Sequence, residues 1–419
     1  MKCERGHMKI LFVSLFLPQQ KAYHAGGRYV NELVRRLSQH HEVHLATRFE
    51  QGEEPLLAEL APYCASIHPF SYPRLPKRGL LASLRLAANY LAFSLFANRL
   101  IQHGDYDLVQ VEWVETALMI RRGKMPMVLD AHDVITKPAW RSYLRGRSAA
   151  RLAQWARWRV VRLLELSIMA RFDRVFTMSD FDRRYLLDLA PGLPVTTIPI
   201  PAGMDLTTTS YPRVPGRLLF LASYKYRPTN VEAALWFHAE VLPLVRREVP
   251  EAEFVIAGFG PPPRLLELAQ RDKATVVTGF VDDTDQFYKS ASVFVAPILT
   301  GGGIIVKVLD ALAAGTPVVT TSFGNEGIEA APGVDLLVAD SAHDFARAVV
   351  TLLRDREQAE RLGASGAAFV AANYSIGAIL QRIETAYREL AADPANPSLK
   401  PKLPPAPEEG DAANVERRT

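Results

Sequence analysis

The segment Ala296–Val319, APILTGGGIIVKVLDALAAGTPVV, holds the residues best placed for chemistry. An apolar run ends at Pro297. Three glycines follow, Gly301, Gly302 and Gly303. Ile304 then leads into a stretch that reads as a helix to Ala314, with Gly315 at its cap. Glycines ahead of a helix let the backbone approach a ligand closely. The unpaired N–H groups and the dipole of the helix start favour a bound phosphate. Lys307, in the first turn or so, adds a cation to the same anion. Asp310 lies on the same helical face. A carboxylate there could accept hydrogen bonds from ribose hydroxyls. Loop, cation and acid together read as a site for a nucleoside diphosphate. The competing reading is a tight turn before a core helix, with Lys307 and Asp310 solvated. The loop follows the carboxyl end of an expected parallel strand, where open α/β sheets bind ligands, and that favours the site.

The elements that would position such a site alternate between short apolar runs and amphipathic stretches. In the first half, strands are expected at 9–15, 42–47, 64–69, 107–112, 126–131, 173–178 and 195–199. The stretch from Gly26 sets Val30, Leu33, Val34 and Leu37 on one helical face. A Pro-rich stretch intervenes from Pro199 to Pro215. Strands resume at 217–222, 252–257, 274–278, 292–296, 316–320 and 334–338. The alternation predicts two α/β domains with mostly parallel sheets covered on both faces. At 419 residues the chain is long enough for both. An amphipathic helix at 376–391 closes the folded part. Residues 392–419 hold six prolines and no aromatic residue, and read as a disordered tail.

Composition narrows the function. Hydrophobic residues make up 48% and charged residues 22%, the balance of a soluble globular protein. A net charge of +4 gives no reason to expect nucleic acid as a partner. Cys3 and Cys64 offer neither metal-site spacing nor a disulfide framework, which fits a cytoplasmic setting. The apolar stretch Met8–Leu17 is short, has no small-residue cleavage site, and reads as a buried strand rather than a signal peptide. No uncharged apolar run reaches about 18 residues, so no transmembrane helix is expected.

The segment around Lys307 resembles the retaining glycosyltransferases of GT-B fold, the group 1 family. Many members carry two glutamates separated by seven residues, the second within an L-E-A-M-A-x-G-x-P-V-V run. LDALAAGTPVV, Leu309 to Val319, is similar to that run. LASYKYRPTNVEAALWF, Leu221 to Phe237, resembles the first strand and helix of the family's nucleotide domain. FVIAGFGPPP resembles its G-x-G turn, here Gly258 and Gly260. GFVDDTDQFYKSASVFVAPI, Gly279 to Ile298, resembles the strand, helix and strand before the signature. The resemblance covers about residues 8–391 and is strongest in 217–330.

This likeness implies two Rossmann-like domains with parallel sheets facing across a cleft. Residues 8–200 would bind the acceptor, 201–213 would link, and 214–375 would bind the nucleotide sugar. Lys225 and Arg227 would join Lys307 on the donor diphosphate, where cations stabilise the departing charge. Gly26 and Gly27, opening the first helix, resemble a Gly-Gly loop facing donor phosphates and acceptor. His132, just past strand 126–131, matches a histidine near the transferred sugar, with Asp133 as its orienting partner. Glu112 is a candidate for acceptor hydroxyls. Asp283 and Asp285 form D-x-D, read as helix N-capping rather than a metal site, and no essential metal or other cofactor is expected. Two departures stand out. Gly302 occupies the position of the first glutamate and Asp310 that of the second. A family subset has G-G-G there, usually followed by T-R-L-K, but the arginine of that variant is missing here.

The expected reaction is retaining transfer of a sugar from a nucleotide diphosphate sugar to a hydroxyl of a glycan or lipid-linked glycan. The rivals are a nucleotide-sugar epimerase on the same fold and a non-catalytic relative that binds a glycan or partner. A dehydrogenase is disfavoured, because no G-x-G-x-x-G joins the first strand to its helix. Residues 74–104 contain five Lys and Arg and no acid. Residues 140–174 hold nine arginines against two acids, with Trp140, Trp155 and Trp158. Basic, Trp-containing helices can lie on an anionic membrane surface, so a peripheral location on its inner face is an expectation here.

Overall fold

A computed structural model describes residues 7–19, 25–73, 80–145, 149–203, 206–225, 227–300 and 304–392. Gly301, Gly302 and Gly303 lie outside the described residues, as do residues 74–79 and the expected tail from 393.

The chain divides into two compact units, Met1–Pro199 with Leu380–Thr419, and Ile200–Ile379. The first holds seven parallel strands: β1 (Lys9–Ser14), β2 (Glu42–Glu50), β3 (Ser66–Tyr72), β4 (Leu108–Glu112), β5 (Met127–Asp130), β6 (Arg174–Thr177) and β7 (Val195–Thr197). They lie in the order β3-β2-β1-β4-β5-β6-β7. The second holds β8 (Arg217–Leu221), β9 (Glu253–Ala257), β10 (Thr275–Gly279), β11 (Val293–Ala296), β12 (Val318–Thr320) and β13 (Leu337–Val338). Their order is β10-β9-β8-β11-β12-β13, again all parallel. Each strand falls where the alternation predicts one.

The strand sequences explain this. KILFVS, EFVIA and VFVA are nearly continuous apolar runs, as parallel strands covered on both faces require. Phe12, Phe220, Phe254 and Phe294 are fully buried in them. Each such ring contributes roughly 1.5–3 kcal/mol relative to exposure. The helix Ala25–Leu37 turns Val30, Leu33, Val34 and Leu37 into the first core, as its spacing predicts.

In both sheets the strand order reverses beside the first strand of the unit. The reversal lies between β1 and β4 in one unit and between β8 and β11 in the other. Such a reversal is the usual ligand position in open α/β sheets, because loops leaving the carboxyl ends of the flanking strands run to opposite faces. The helix Ile376–Ala392 buries Ile379, Ile383, Tyr387 and Leu390, a core-facing stripe. Together with the helix Arg356–Asn373 it forms the one stretch among the described residues long and apolar enough to cross a membrane. A break at Tyr374 and Ser375 separates the two helices.

Candidate functional site

In the second unit, the reversal between β8 and β11 gathers the predicted cations. The loop after β8 is stitched to the turn after β9. Ala222 N donates to Ala257 O at 2.9 Å, and Tyr224 N to Phe259 O at 2.9 Å. Gly258 (φ 128°) and Gly260 (φ 67°) make that turn. A Cβ on Gly258 would stand 1.9 Å from the Ala222 carbonyl oxygen, and one on Gly260 would stand 2.6 Å from Lys225 Cβ. Only glycine suits backbone conformations of this kind at such close range. The two loops therefore lie against each other, and Lys225 Nζ stands 5.2 Å from the centre of the Phe259 ring.

Arg227 sits at the N-terminus of the helix Pro228–Trp236. Lys307, in the first turn of the helix Val306–Ala313, donates from Nζ to Asn230 Oδ1 at 2.9 Å. Asn230 in turn donates to Ser223 O at 2.7 Å, so one buried amide ties the β8 loop to the lysine after β11. Burial first, and then the neighbouring Arg227 charge, lower the Lys307 ammonium to about 8. Lys307 and Arg227 are thus like charges that disfavour one another. An anion would relieve the arrangement. Ile305, at the N-cap of the Lys307 helix, gives no side-chain hydrogen bond to the helix start.

Asp310 shares the Lys307 helix, and its Oδ1 accepts from Gly203 N at 3.0 Å. That bond ties the carboxylate to the segment entering the unit. Ile304 is partly buried and packs against the second core. The D-x-D acids have structural partners. Asp283 Oδ1 accepts from Gln286 N at 3.1 Å as a helix N-cap, and Asp285 pairs with Lys289 at 2.7 Å.

In the first unit, Gly26 opens the helix Ala25–Leu37. A Cβ on it would lie 3.1 Å from Trp113 Cζ2 and 3.2 Å from His132 Nδ1. Gly27 follows in the same turn, its carbonyl accepting from Gln19 N at 3.3 Å. Trp113 and His132 follow β4 and β5, and their rings stack at 4.4 Å and 14°. Both have positive φ, 67° and 56°. Such strain costs about 1–3 kcal/mol per residue and persists where a site needs the geometry.

Two expectations are corrected here. Glu112 does not offer its carboxylate to acceptor hydroxyls. It is fully buried, with Oε1 accepting from Gln110 Nε2 at 2.7 Å and Oε2 lying 2.8 Å from His132 Nε2. Glu112, not the exposed Asp133, therefore orients the histidine. Burial opposes a charged His132, but Asp130 and Glu112 outweigh it and raise its pKa. Asp130, fully buried, accepts from Tyr29 Oη at 3.2 Å, and burial pushes its carboxyl up to about 7. Glu112, Asp130 and His132 each place one ligating atom within 4.8 Å of the others. Glu112 and His132 are hydrogen-bonded to each other, whereas the Asp130 carboxylate is held by Tyr29.

Sequence reasoning missed Asn230, Trp113 and the exposed pair Phe259 and Phe280, whose rings meet edge to face at 6.3 Å beyond β9 and β10. Asn230 lies inside LASYKYRPTNVEAALWF, and Trp113 directly follows Glu112. Nothing in a single sequence marks a buried amide as a bridge.

Comparison with known proteins gives consistent results. Residues 215–355 match the family model "Glycosyl transferases group 1", and residues 26–207 match "Glycosyltransferase Family 4". An uncharacterised 44.6 kDa protein of the cps region of Klebsiella pneumoniae is 25% identical over 156 residues, 36% of this chain and 40% of that protein. The phosphatidyl-myo-inositol mannosyltransferase of Mycobacterium tuberculosis is 27% identical over 263 residues, 59% of this chain and 62% of that protein. The matches thus span less than two thirds of either relative. Among solved structures, sucrose-phosphate synthase of Thermosynechococcus elongatus superposes with a TM-score of 0.67 at 19% identity, over 92% of this chain and 99% of the other. Anabaena HepE in complex with UDP gives 0.61 at 13% identity, over 91% and 100%.

Proposed function

Since this chain belongs to the group 1 glycosyltransferases and has their GT-B fold, we propose that it transfers a sugar from a nucleotide diphosphate sugar to a hydroxyl of a glycan or lipid-linked acceptor. Transfer proceeds with retention of configuration and without an essential metal. The observation that carries this reading is Lys307, tied through Asn230 to the loop after β8 at the strand-order reversal of the second sheet, with Lys225 and Arg227 on that loop. A departing nucleoside diphosphate gains negative charge as the glycosidic bond breaks, and fixed cations stabilise it. Asp310, on the same helix as Lys307, takes a ribose hydroxyl. The exposed faces of Phe259 and Phe280 offer the base a stacking surface. His132, behind Gly26 and Gly27, meets a sugar hydroxyl. A mannosyltransferase acting on phosphatidyl-myo-inositol among the relatives supports a lipid-linked acceptor.

The test is a thermal-shift panel of UDP, GDP, ADP, CMP and dTDP on the intact chain. One nucleoside diphosphate at about 100 times its Kd should add roughly 2.7 kcal/mol of stability and raise Tm by several degrees. A flat response to all of them overturns the donor site.

We further propose that the first unit rests on an anionic membrane. The helix Ala149–Met169 buries Trp158, Glu165, Leu166 and Met169, and exposes Leu152, Trp155, Val160, Leu163 and Leu164. Arg157 is exposed on the same helix, and the Arg159 guanidinium lies over Trp155 at 5.3 Å. Leu84, Leu91 and Leu95 are exposed on the helix Leu80–His103. Trp140 and Trp158 belong to the protein core, their rings 4.8 Å apart, so of the three tryptophans only Trp155 can meet lipid. An apolar patch with basic neighbours suits an anionic bilayer. The intact chain should float with phosphatidylglycerol vesicles at low salt, and Leu152→Glu with Trp155→Glu should abolish this. Absence of flotation in the wild type removes the membrane from the reading.

A further inference from the structure

Strand β4 carries two polar side chains in a place where sequence normally spends only apolar ones. Gln110 and Glu112 are two positions apart, so they lie on one face of the sheet, and both are fully buried. Buried polar groups are costly unless each finds a partner. Here they are joined in a line. The Tyr387 hydroxyl, on the helix Ile376–Ala392, donates to Gln110 Oε1. Gln110 Nε2 donates to Glu112 Oε1 at 2.7 Å, and Glu112 Oε2 faces His132 Nε2 at 2.8 Å.

The direction of this line follows from which groups can donate. Burial first, with Glu112 and Asp130 adding to it, holds the Tyr387 phenol well above its usual range, so it keeps its proton. Its proton goes to the amide oxygen, which leaves the NH₂ end of Gln110 pointing at Glu112. A carboxylate accepts on both oxygens, so the partner on its far side must bring a proton. That partner is His132 Nε2. The other ring nitrogen, Nδ1, is turned toward Gly26, which places no side chain over it.

We propose that Tyr387 and Gln110 are positioning residues that act through Glu112 to hold His132 as the Nε2–H tautomer, presenting Nδ1 to a ligand hydroxyl. A tautomer fixed in advance spares the site from reorganising when the ligand arrives. The effect on turnover rests on the glycosyl-transfer reading. The tautomer itself is a property of the folded chain and is measurable without any substrate.

The experiment uses the full chain labelled with ¹⁵N-histidine. Long-range ¹H–¹⁵N correlation reports which nitrogen is protonated, followed through a titration to the neutral imidazole, and the His132 signal is identified by its loss in His132→Gln. Wild type should show Nε2–H. Tyr387→Phe frees the amide to turn, and the Nδ1–H population should rise. Under transfer conditions the same variant should lose roughly tenfold in kcat at unchanged donor KM, the scale on which partners of an oriented histidine act. Gln110→Met, close in volume and unable to donate, should move both readouts the same way and covers the case in which Tyr387→Phe folds poorly. An Nδ1–H wild type, or a tautomer unmoved in the folded variants, overturns the relay. A moving tautomer in a chain that transfers no sugar would sustain the relay and sink the proposed function instead.

Discussion

Lys307→Ala is expected to erase nucleoside diphosphate stabilisation and to lower kcat/KM for transfer by about two to three orders of magnitude, the usual cost of removing a preorganised charge partner from a developing anion. Lys307 is suited to this role because its surroundings oppose its charge. Burial, and then Arg227, hold the ammonium down to about 8 in the unliganded protein. A bound diphosphate reverses that penalty. Diphosphate affinity should therefore be full below this value and fall as pH rises through about 8. Lys307→Arg keeps its charge throughout and should flatten the dependence, even if its geometry weakens binding. The effect on folding has the opposite sign. A lysine whose folded pKa lies below its unfolded value loses stability while charged, and regains it as pH rises from the folded toward the unfolded pKa. Removing the ammonium should thus not lower the Tm of the free protein. Isothermal titration calorimetry across the pH range, with melting of the unliganded chains, separates the two effects. Undiminished affinity in the alanine variant would sink this assignment.

Gly258→Ala is expected to be the most damaging methyl addition around the loops after β8 and β9. The new Cβ would stand 1.9 Å from the Ala222 carbonyl oxygen, part of the strand end that carries the Lys225 loop. Its φ of 128° is also one that an L side chain rarely adopts. Overpacking and backbone strain together should cost about 3 kcal/mol or more. Gly279→Ala is the internal comparison. It too has positive φ, 73°, but nothing lies within 4 Å of its Cβ, so only the smaller backbone term applies. Urea unfolding of the two variants decides the point. Equal stabilities would show that the close approach of the two loops is not a constraint.

The sequence made the strands legible because a parallel strand covered on both faces must be apolar along its whole length, as in KILFVS and VFVA. Asp283 was readable as an N-cap because that bond is local. The order of the strands was not readable. Periodicity says which residues are inside but not which strand neighbours which. The reversals that gather Arg227 with Lys307 come from long-range pairing. Glu112 misled for a related reason. At the end of an apolar strand a carboxylate reads as emerging into solvent, and only the fold shows Gln110 and His132 waiting for it. Tryptophan content also misled. Trp155 is exposed while Trp140 and Trp158 pack together, a distinction set by helix packing rather than residue type.

The return of the last helix also bears on how the chain is made. Residues from Leu380 belong to the first unit, and Ile383, Ala386, Tyr387 and Leu390 are buried there. A nascent chain emerging from the ribosome presents residues up to Pro199 long before these. Domains usually fold in the order in which they are synthesised. Here the unit begun first is finished last. The contacts of Tyr387 with Gln110, His41 and Phe176 stay unmade until the whole of Ile200–Ile379 has been translated.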